Sequence, residues 1–165
     1  MKKILTIALI AFSFSAFAQI KLGHINSTDL LRLMPELDTA EQRLQNYIRD
    51  FQAEARSIQT ELENKYNEFQ ANQNQWSELI KQTRFKAIQD LEARLQDYSQ
   101  SAERILEEQR AQLFNPIIEK AREAIAEVAK EHKYTYIFDS SVGVLLYFGE
   151  SDDIINLVKK KLNLK

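Results

Sequence analysis

The sequence predicts an α+β protein in which a small β-sheet base carries a long antiparallel α-helical hairpin, a coiled-coil arm. The first observation is a stretch, residues 36–115, that lies between the only two prolines and contains no glycine. Proline and glycine are the residues that most often interrupt helices, and this stretch is rich in good helix formers. The second observation is that short aromatic and β-branched runs, typical of strands, occur only in the flanks, residues 19–35 and 116–165. The two flanks are therefore predicted to form one base.

The first eighteen residues have the pattern of a cleavable signal peptide. A basic start, Met1–Lys3, precedes an apolar run, and Ala16-Phe17-Ala18 fits a cleavage site between small residues. The alternative is a short membrane anchor, but the run is shorter than the ~20 apolar residues that a spanning helix needs. We therefore predict a secreted protein with no stable membrane insertion. Cleavage after Ala18 leaves 20 basic and 24 acidic residues, a net charge of −4.

The mature chain begins with a predicted strand and a short helix. In Gln19–Ile25, alternate residues would share one face, which places Ile20, Leu22 and His24 together. Asn26–Asp29 is a cluster of residues favoured at helix N-caps. The same residues match a glycosylation sequon, but a capping role explains them too, and we favour the cap. Pro35 is expected to end this helix or to start the next one.

The two halves of the long helical stretch have different hydrophobic periods. The stripe from Tyr47 to Phe69 covers 22 residues in six steps, which is an eleven-residue repeat. The stripe from Ile88 to Gln109 covers 21 residues in six steps, which is a heptad repeat. Helices with mismatched periods cannot remain in register along their whole length. We therefore predict loose packing over part of the arm.

A polar segment near residues 72–77 divides the stretch into two nearly equal halves. Asparagine is a poor helix former and a good turn residue, so the segment predicts a turn between antiparallel helices. Each helix of about 37 residues would be ~55 Å long, whereas the alternative, a single rod, would be ~120 Å long. Trp76 would then lie at the exposed tip or pack locally against Leu79 and Ile80.

The C-terminal flank predicts a helix, a β-hairpin and a final helix. Asn115 and Pro116 suit the cap and first turn of a new helix with a broad apolar face. Tyr134–Phe138 and Val144–Phe148 predict the two strands of a hairpin. Both strands are apolar on both faces, which predicts burial on both faces. Asp152–Leu162 is predicted to form the last helix, capped by residues 151–153.

The predicted base is too small to bury two-sided apolar strands by itself. It has 67 residues, and a domain of that size is marginal alone. Self-association through the sheet would provide the missing cover, so a homo-oligomer is predicted. The candidate oligomerisation residues are Ile20, Leu22, Tyr136, Phe138, Val144 and Leu146.

The composition argues against an enzyme and against nucleic-acid binding. The chain has no cysteine, two histidines without ligand spacing, and only three glycines, so no metal site, cofactor site or phosphate loop is indicated. His24 and His132 are expected to be structural, because neither has an evident partner for acid–base chemistry. The acidic pairs at Glu107-Glu108 and Asp152-Asp153 fit a solvated helix face and a helix cap. The acidic net charge is the opposite of what nucleic acid requires.

Several segments resemble the Skp (OmpH-like) family of periplasmic outer-membrane-protein chaperones. They are IKLGHINSTDLL near the mature start, PIIEKAREAIAEVAKEHKYTYIFD after the arm, VLLYF, and the helix start SDDII. The resemblance implies a periplasmic homotrimer whose strands form a central β-barrel. It further implies three arms that enclose a cavity, where unfolded outer-membrane proteins are held without ATP. It implies no catalytic residue.

The arm departs from the family pattern in charge. Best-known members are strongly basic, whereas Glu36–Ile80 has nine acidic and four basic residues. Attraction of acidic clients, or of lipopolysaccharide, is therefore not predicted here. The candidate client-binding residues are the arm aromatics Tyr47, Phe51, Tyr66, Phe69 and Trp76. Two alternatives stay open: that all of these except Trp76 only close the hairpin, and that the protein is an adaptor coiled coil of the cell envelope that binds one folded partner.

Overall fold

The computed structural model describes residues 20–164. The predicted signal peptide lies outside these residues. The described chain is mostly helical and divides into two compact units, a helical unit of residues 34–120 and a unit formed by the two chain ends. We call these units the hairpin and the base.

The hairpin consists of two long helices, as predicted. Helix α2 is Pro35–Asn72, and helix α3 is Glu78–Glu131, of which the part up to Lys120 belongs to the hairpin. The break between them coincides with the polar segment. Lys120 donates to the Glu36 carboxylate at the open end, and this hydrogen bond is the main reason that the pKa of Glu36 lies below its ordinary value.

Helices α2 and α3 pack closely at some positions along the hairpin and loosely at others. In α2 only Ala40 and Ile58 are buried, so a long stretch between them has no fully buried side chain. The buried residues that α3 contributes to the hairpin are Ile88, Leu91, Ala102 and Ile117. Arg94 and Arg84 form ion pairs across the helices with Glu54 and Glu68 at 3.6 and 3.7 Å. This uneven burial agrees with the mismatch of hydrophobic periods.

The predicted helix start at Pro116 is wrong, because α3 continues through this proline. A proline inside a helix removes one hydrogen bond and costs about 3 kcal/mol. The carbonyl that loses its partner belongs to Gln112, and both Gln112 and Pro116 are exposed, so water can solvate it. Ile117, Ala121 and Ala124 continue the same helical face and are buried. Their burial offsets the loss of one bond.

The base contains a two-stranded parallel sheet and two short helices. Strand β1 (Leu22–Ile25) pairs with β2 (Tyr136–Asp139), with Leu22 opposite Tyr136 and Ile25 opposite Asp139. Helix α1 is Ser27–Arg32, and the predicted cap is present, because the Asn26 side chain accepts from the backbone N–H of Asp29 at 3.1 Å. The buried apolar residues of the base are Ile25, Leu30, Ala121, Ala124, Val128, Ile154 and Val158.

The predicted β-hairpin is wrong, because Val144–Phe148 forms no strand and β2 pairs with β1 instead. The Asp139 carboxylate accepts from the backbone N–H of Ser141 at 2.9 Å, which turns the chain directly after β2. The expected burial on both faces is also wrong for this single chain. Val144 and Leu146 are 77% and 99% exposed, since no neighbouring strand covers them among the described residues.

The final helix is shorter than predicted. A 3₁₀ turn, Glu150–Asp152, precedes helix α4, Ile155–Lys161. The Asp153 carboxylate accepts from the backbone N–H of Ile155 at 2.8 Å and so holds the helix start. Lys161 at the other end forms ion pairs with Glu127 and Glu131 of α3 at 2.9 and 2.7 Å. Because of these contacts, chiefly the hydrogen bond to Glu131, the pKa of Lys161 is raised.

Candidate functional site

The five aromatic residues proposed for client binding occupy two kinds of environment in the hairpin. Tyr47 and Tyr66 are 40% and 49% exposed. Phe51 is half-buried, 6.1 Å from the ring of Tyr98, whose hydroxyl donates to the Phe51 carbonyl at 3.5 Å. Burial, followed by the carboxylates of Glu54 and Asp50, raises the pKa of Tyr98.

The other two, Phe69 and Trp76, belong to an aromatic cluster at the hairpin tip. Trp76 packs edge-on against Phe69 with 5.9 Å between ring centroids, and Phe85 lies 6.1 Å from Phe69. The Arg84 guanidinium lies 5.7 Å from the Trp76 ring centre, within the range of a cation–π contact. Trp76 is therefore half-buried, and its ring contacts Phe69 and Arg84. Next to the cluster, Leu79 is 74% exposed.

All six candidate oligomerisation residues have exposed side chains in the base. Leu22 and Tyr136 face each other across the sheet, and Phe138 stacks on Tyr136 with ring centroids 6.4 Å apart. The exposed fractions are 64% for Ile20, 47% for Leu22, 59% for Tyr136 and 42% for Phe138, in addition to the values for Val144 and Leu146 given above. One face of the sheet and the segment after β2 thus present apolar and aromatic surface.

Two polar contacts fix the position of this apolar segment. The buried His24 packs on Phe148 with ring centroids 4.2 Å apart, and its Nε2–H donates to the Gly149 carbonyl at 3.0 Å. At the other end, the Asp139 carboxylate accepts from the Ser27 hydroxyl at 2.5 Å. Partial burial alone would raise the pKa of Asp139, but the hydrogen bonds from Ser27 and Ser141 hold it below its ordinary value. His24 thus has a packing role in the fold.

The acidic pair Glu107-Glu108 lies where the sequence placed it, on a solvated helix face, and Asp153 of the second pair accepts from the backbone N–H of Ile155 at the start of α4. Glu107 and Glu108 form ion pairs with Arg110 and Arg104 of the same helix at 3.7 and 2.8 Å. Within residues 20–164, no three His, Asp or Glu side chains are grouped so that they could hold a metal ion. In the same part of the chain, no helix combines the length and the apolar character needed to cross a membrane.

The comparisons with known proteins agree with a fold that contains a long helical hairpin and a small two-stranded sheet. The model of the OmpH-like outer membrane protein family matches residues 21–162. The chain belongs to this family. A crystal structure from Caulobacter crescentus CB15, described as a candidate outer membrane chaperone (OmpH-like), is similar with a TM-score of 0.73. The similarity covers 88% of this chain and 85% of that one at 16% sequence identity, so it bears on the fold. No curated protein matches the sequence significantly.

Membership of the OmpH-like family settles the question of catalysis. The family is non-enzymatic, which confirms the prediction that the chain is not an enzyme.

Sequence reasoning missed one concave surface of the OmpH-like chain. It is an open groove of about 790 Å³ between the first turns of α2 and the part of α3 before Lys120. Its apolar lining on α3 comes from Ala111, Phe114 and Ile118, whose three- and four-residue spacing is a helical stripe beside the heptad stripe. That second stripe is the signal from which the groove could have been found. The groove is lined by Glu41, Leu44, Gln45, Glu107, Arg110, Ala111, Phe114, Asn115 and Ile118.

Proposed function

We propose that this chain is a periplasmic, ATP-independent holdase that binds unfolded outer-membrane proteins and prevents their aggregation. Family membership and the resemblance to a candidate outer membrane chaperone support this function. In this proposal, three copies assemble through the base, and client chains are held in the cavity between the three helical arms. The signal-peptide pattern of the first eighteen residues supports export to the periplasm.

The observation on which the holdase proposal depends is the incomplete closure of the hairpin. Aromatic and aliphatic side chains, including Tyr47, Tyr66 and Ile118, are 39–49% exposed along it. Scattered contacts of this kind are individually weak, but several arms that act on one client add their effects. Weak, distributed contacts suit a chaperone that must bind unfolded chains of variable sequence.

The trimer is supported by the exposed apolar surface of the base. A sheet of two strands is marginally stable alone, and its open edges are templates for further strands. Val144–Phe148 has strand-forming composition and an exposed side chain at nearly every position. Pairing of this segment with a neighbouring copy would bury Leu146 and Val144 and complete the sheet.

An aggregation assay with the purified mature protein tests the holdase function. An outer-membrane β-barrel diluted from urea should remain soluble when the protein is present at a stoichiometric amount and no ATP is added. A variant that lacks residues 44–105 should lose this protection and still assemble through the base. Absence of protection by the intact protein, together with tight binding to one folded partner, would favour the adaptor instead.

A native mass measurement tests the assembly. The intact mature protein should have the mass of three chains, and Leu146→Asp should shift the population to single chains, because it places a charge in the proposed contact. Tyr66→Asp, an equally drastic change in the hairpin, serves as the control and should leave the trimer intact. A trimer that survives Leu146→Asp would refute the role of this segment.

A further inference from the structure

The groove near the open end of the hairpin differs from the rest of the hairpin surface. Its walls, on α2 and α3, run antiparallel, so the groove is elongated along the helices. Phe114 and Leu44 are half-buried in its floor, while Ala111 and Ile118 are exposed. The volume of about 790 Å³ lies in the range of ligand-binding clefts, which is about 300–1,000 Å³. It is large enough for one or two apolar side chains of another protein.

The surroundings of this groove are acidic. Residues 34–50 and 103–120 contain eight acidic and five basic residues, a net charge of −3. Three of the five basic residues, Arg104, Arg110 and Lys120, form ion pairs with acidic neighbours within the same segments. Glu41, on the rim, is exposed and has no Lys or Arg nitrogen within 4 Å among the described residues. The rim therefore presents uncompensated negative charge above an apolar floor.

The tip of the hairpin carries no net charge, so the hairpin surface is not uniformly acidic. Residues 68–90 contain three basic residues, Lys81, Arg84 and Lys86, and three acidic residues, Glu68, Glu78 and Asp90. A uniform acidic surface would serve solubility alone. A groove with an apolar floor and a negative rim has instead the complementarity that selects a partner.

We infer that this groove binds client segments in which an apolar or aromatic side chain is flanked by lysine or arginine. The inference rests on the proposed holdase function and specifies which part of a client the hairpin prefers. The apolar side chain would contact Phe114, Ala111 and Ile118, and the flanking cation would lie beside Glu41. Strands of barrel proteins alternate apolar and polar residues, so an apolar side chain there has polar neighbours on both sides in the sequence. Acidic client segments are disfavoured by the same rim.

Peptide binding to the mature oligomer tests the inference. Two labelled peptides of about ten residues, the length of a transmembrane β-strand, share a central Phe and differ only in flanking Lys or Glu. The Lys-flanked peptide should bind at least fivefold more tightly at low salt, since one ion pair in water is worth about 1 kcal/mol. The difference should shrink as salt screens the rim.

Two pairs of variants locate the binding site. Ala111→Phe fills the groove and should reduce the affinity for the Lys-flanked peptide at least fivefold. Ala93→Phe, at another exposed alanine of α3, should leave the affinity for this peptide within twofold of the wild-type value. Glu41→Lys should abolish the preference for the Lys-flanked peptide, whereas Glu92→Lys, at an exposed position of α3 remote in sequence, should retain it. Circular dichroism confirms that each variant is folded.

The outcomes separate this inference from the function on which it rests. Equal binding of both peptides, or no effect of Ala111→Phe and Glu41→Lys, would refute the inference that the groove binds these client segments. Suppression of aggregation by the intact protein would in that case still support the holdase function. If the intact protein discriminates the peptides through Glu41 but does not suppress aggregation, the groove is supported and the holdase function is refuted.

Discussion

The carboxylate of Asp139 should stabilise the base in a pH-dependent way. It accepts from the Ser27 hydroxyl at 2.5 Å and from the backbone N–H groups of Ser141 and Ser27 at 2.9 and 3.3 Å. Hydrogen bonds to a charged group contribute about 1.5–3 kcal/mol each, against about 0.5–1.5 kcal/mol for neutral ones. Asp139→Asn preserves the shape and removes the charge. Weakening two of these bonds should lower the free energy of unfolding by about 2 kcal/mol.

The pKa shift of Asp139 sets the pH range of this effect. The pKa is lower in the folded protein than the ordinary value of 3.8, so the stabilisation is fully present above pH 3.8 and is lost as the pH falls through the folded value. The difference in the free energy of unfolding between wild type and Asp139→Asn should therefore stay constant from about pH 7 to pH 5. It should become smaller below about pH 4.

Thermal melts at equal protomer concentration measure the difference in stability between wild type and Asp139→Asn. We expect a decrease in Tm of about 4–8 °C at neutral pH for a chain of this length. Asp90→Asn, at an exposed position of α3, is the control and should change the free energy of unfolding by less than about 0.5 kcal/mol. A variant that melts like the wild type at pH 7, or a difference in stability that persists unchanged at pH 3, would refute the assigned role of the carboxylate.

Three further predictions concern the hairpin and the C-terminal helix. Ile58→Ala removes a side chain that is 2% exposed and should lower the free energy of unfolding in urea by about 2–5 kcal/mol. Tyr47→Ala, at an exposed position, should lower it by less than about 1 kcal/mol. Equal losses of stability in the two variants would contradict the uneven closure of the hairpin. Trp76 is the only tryptophan of the chain, so its fluorescence reports on the hairpin tip. Added unfolded client should shift its emission to shorter wavelength. An unchanged Trp76 spectrum at saturating client would show that the tip does not contact the client. Lys161→Met should lower the Tm at low salt and reduce its dependence on salt, because the ion pairs to Glu127 and Glu131 are lost; an unaltered salt response would show that these pairs contribute nothing.

The sequence was most informative where local chemistry decides the structure. The hairpin follows from residues that leave a helix uninterrupted and from a polar segment that ends it at Asn72. The cap at Asn26 follows from a side chain that bonds its own neighbouring backbone. In both places the interacting groups are close in sequence, so the pattern contains the whole cause.

Prediction failed where distant parts of the chain compete. Pro116 is a local signal for a helix start, but the buried face that continues through Ile117 and Ala121 outweighs it. The partner of β2 was also misassigned, since parallel pairing with β1 joins residues more than a hundred positions apart. The groove at Ala111 and Phe114 was missed because the heptad stripe alone was used to predict the contact face of α3, and these residues lie in the stripe beside it. Each error concerns which surface meets which, and a single-residue pattern does not contain that information.

The error at Val144–Phe148 has a physical interpretation of its own. Propensity predicts a strand there, yet the segment is irregular in the single chain, with Tyr147 89% exposed. Such a composition is costly on a monomer surface, because exposed apolar strands promote aggregation. The cost is removed if a second copy supplies the missing strand edge. Amide hydrogen exchange would decide this: residues 144–148 should be protected in the wild-type oligomer and exchange rapidly in a Leu146→Asp single chain, and rapid exchange in both would mean that the segment stays unpaired.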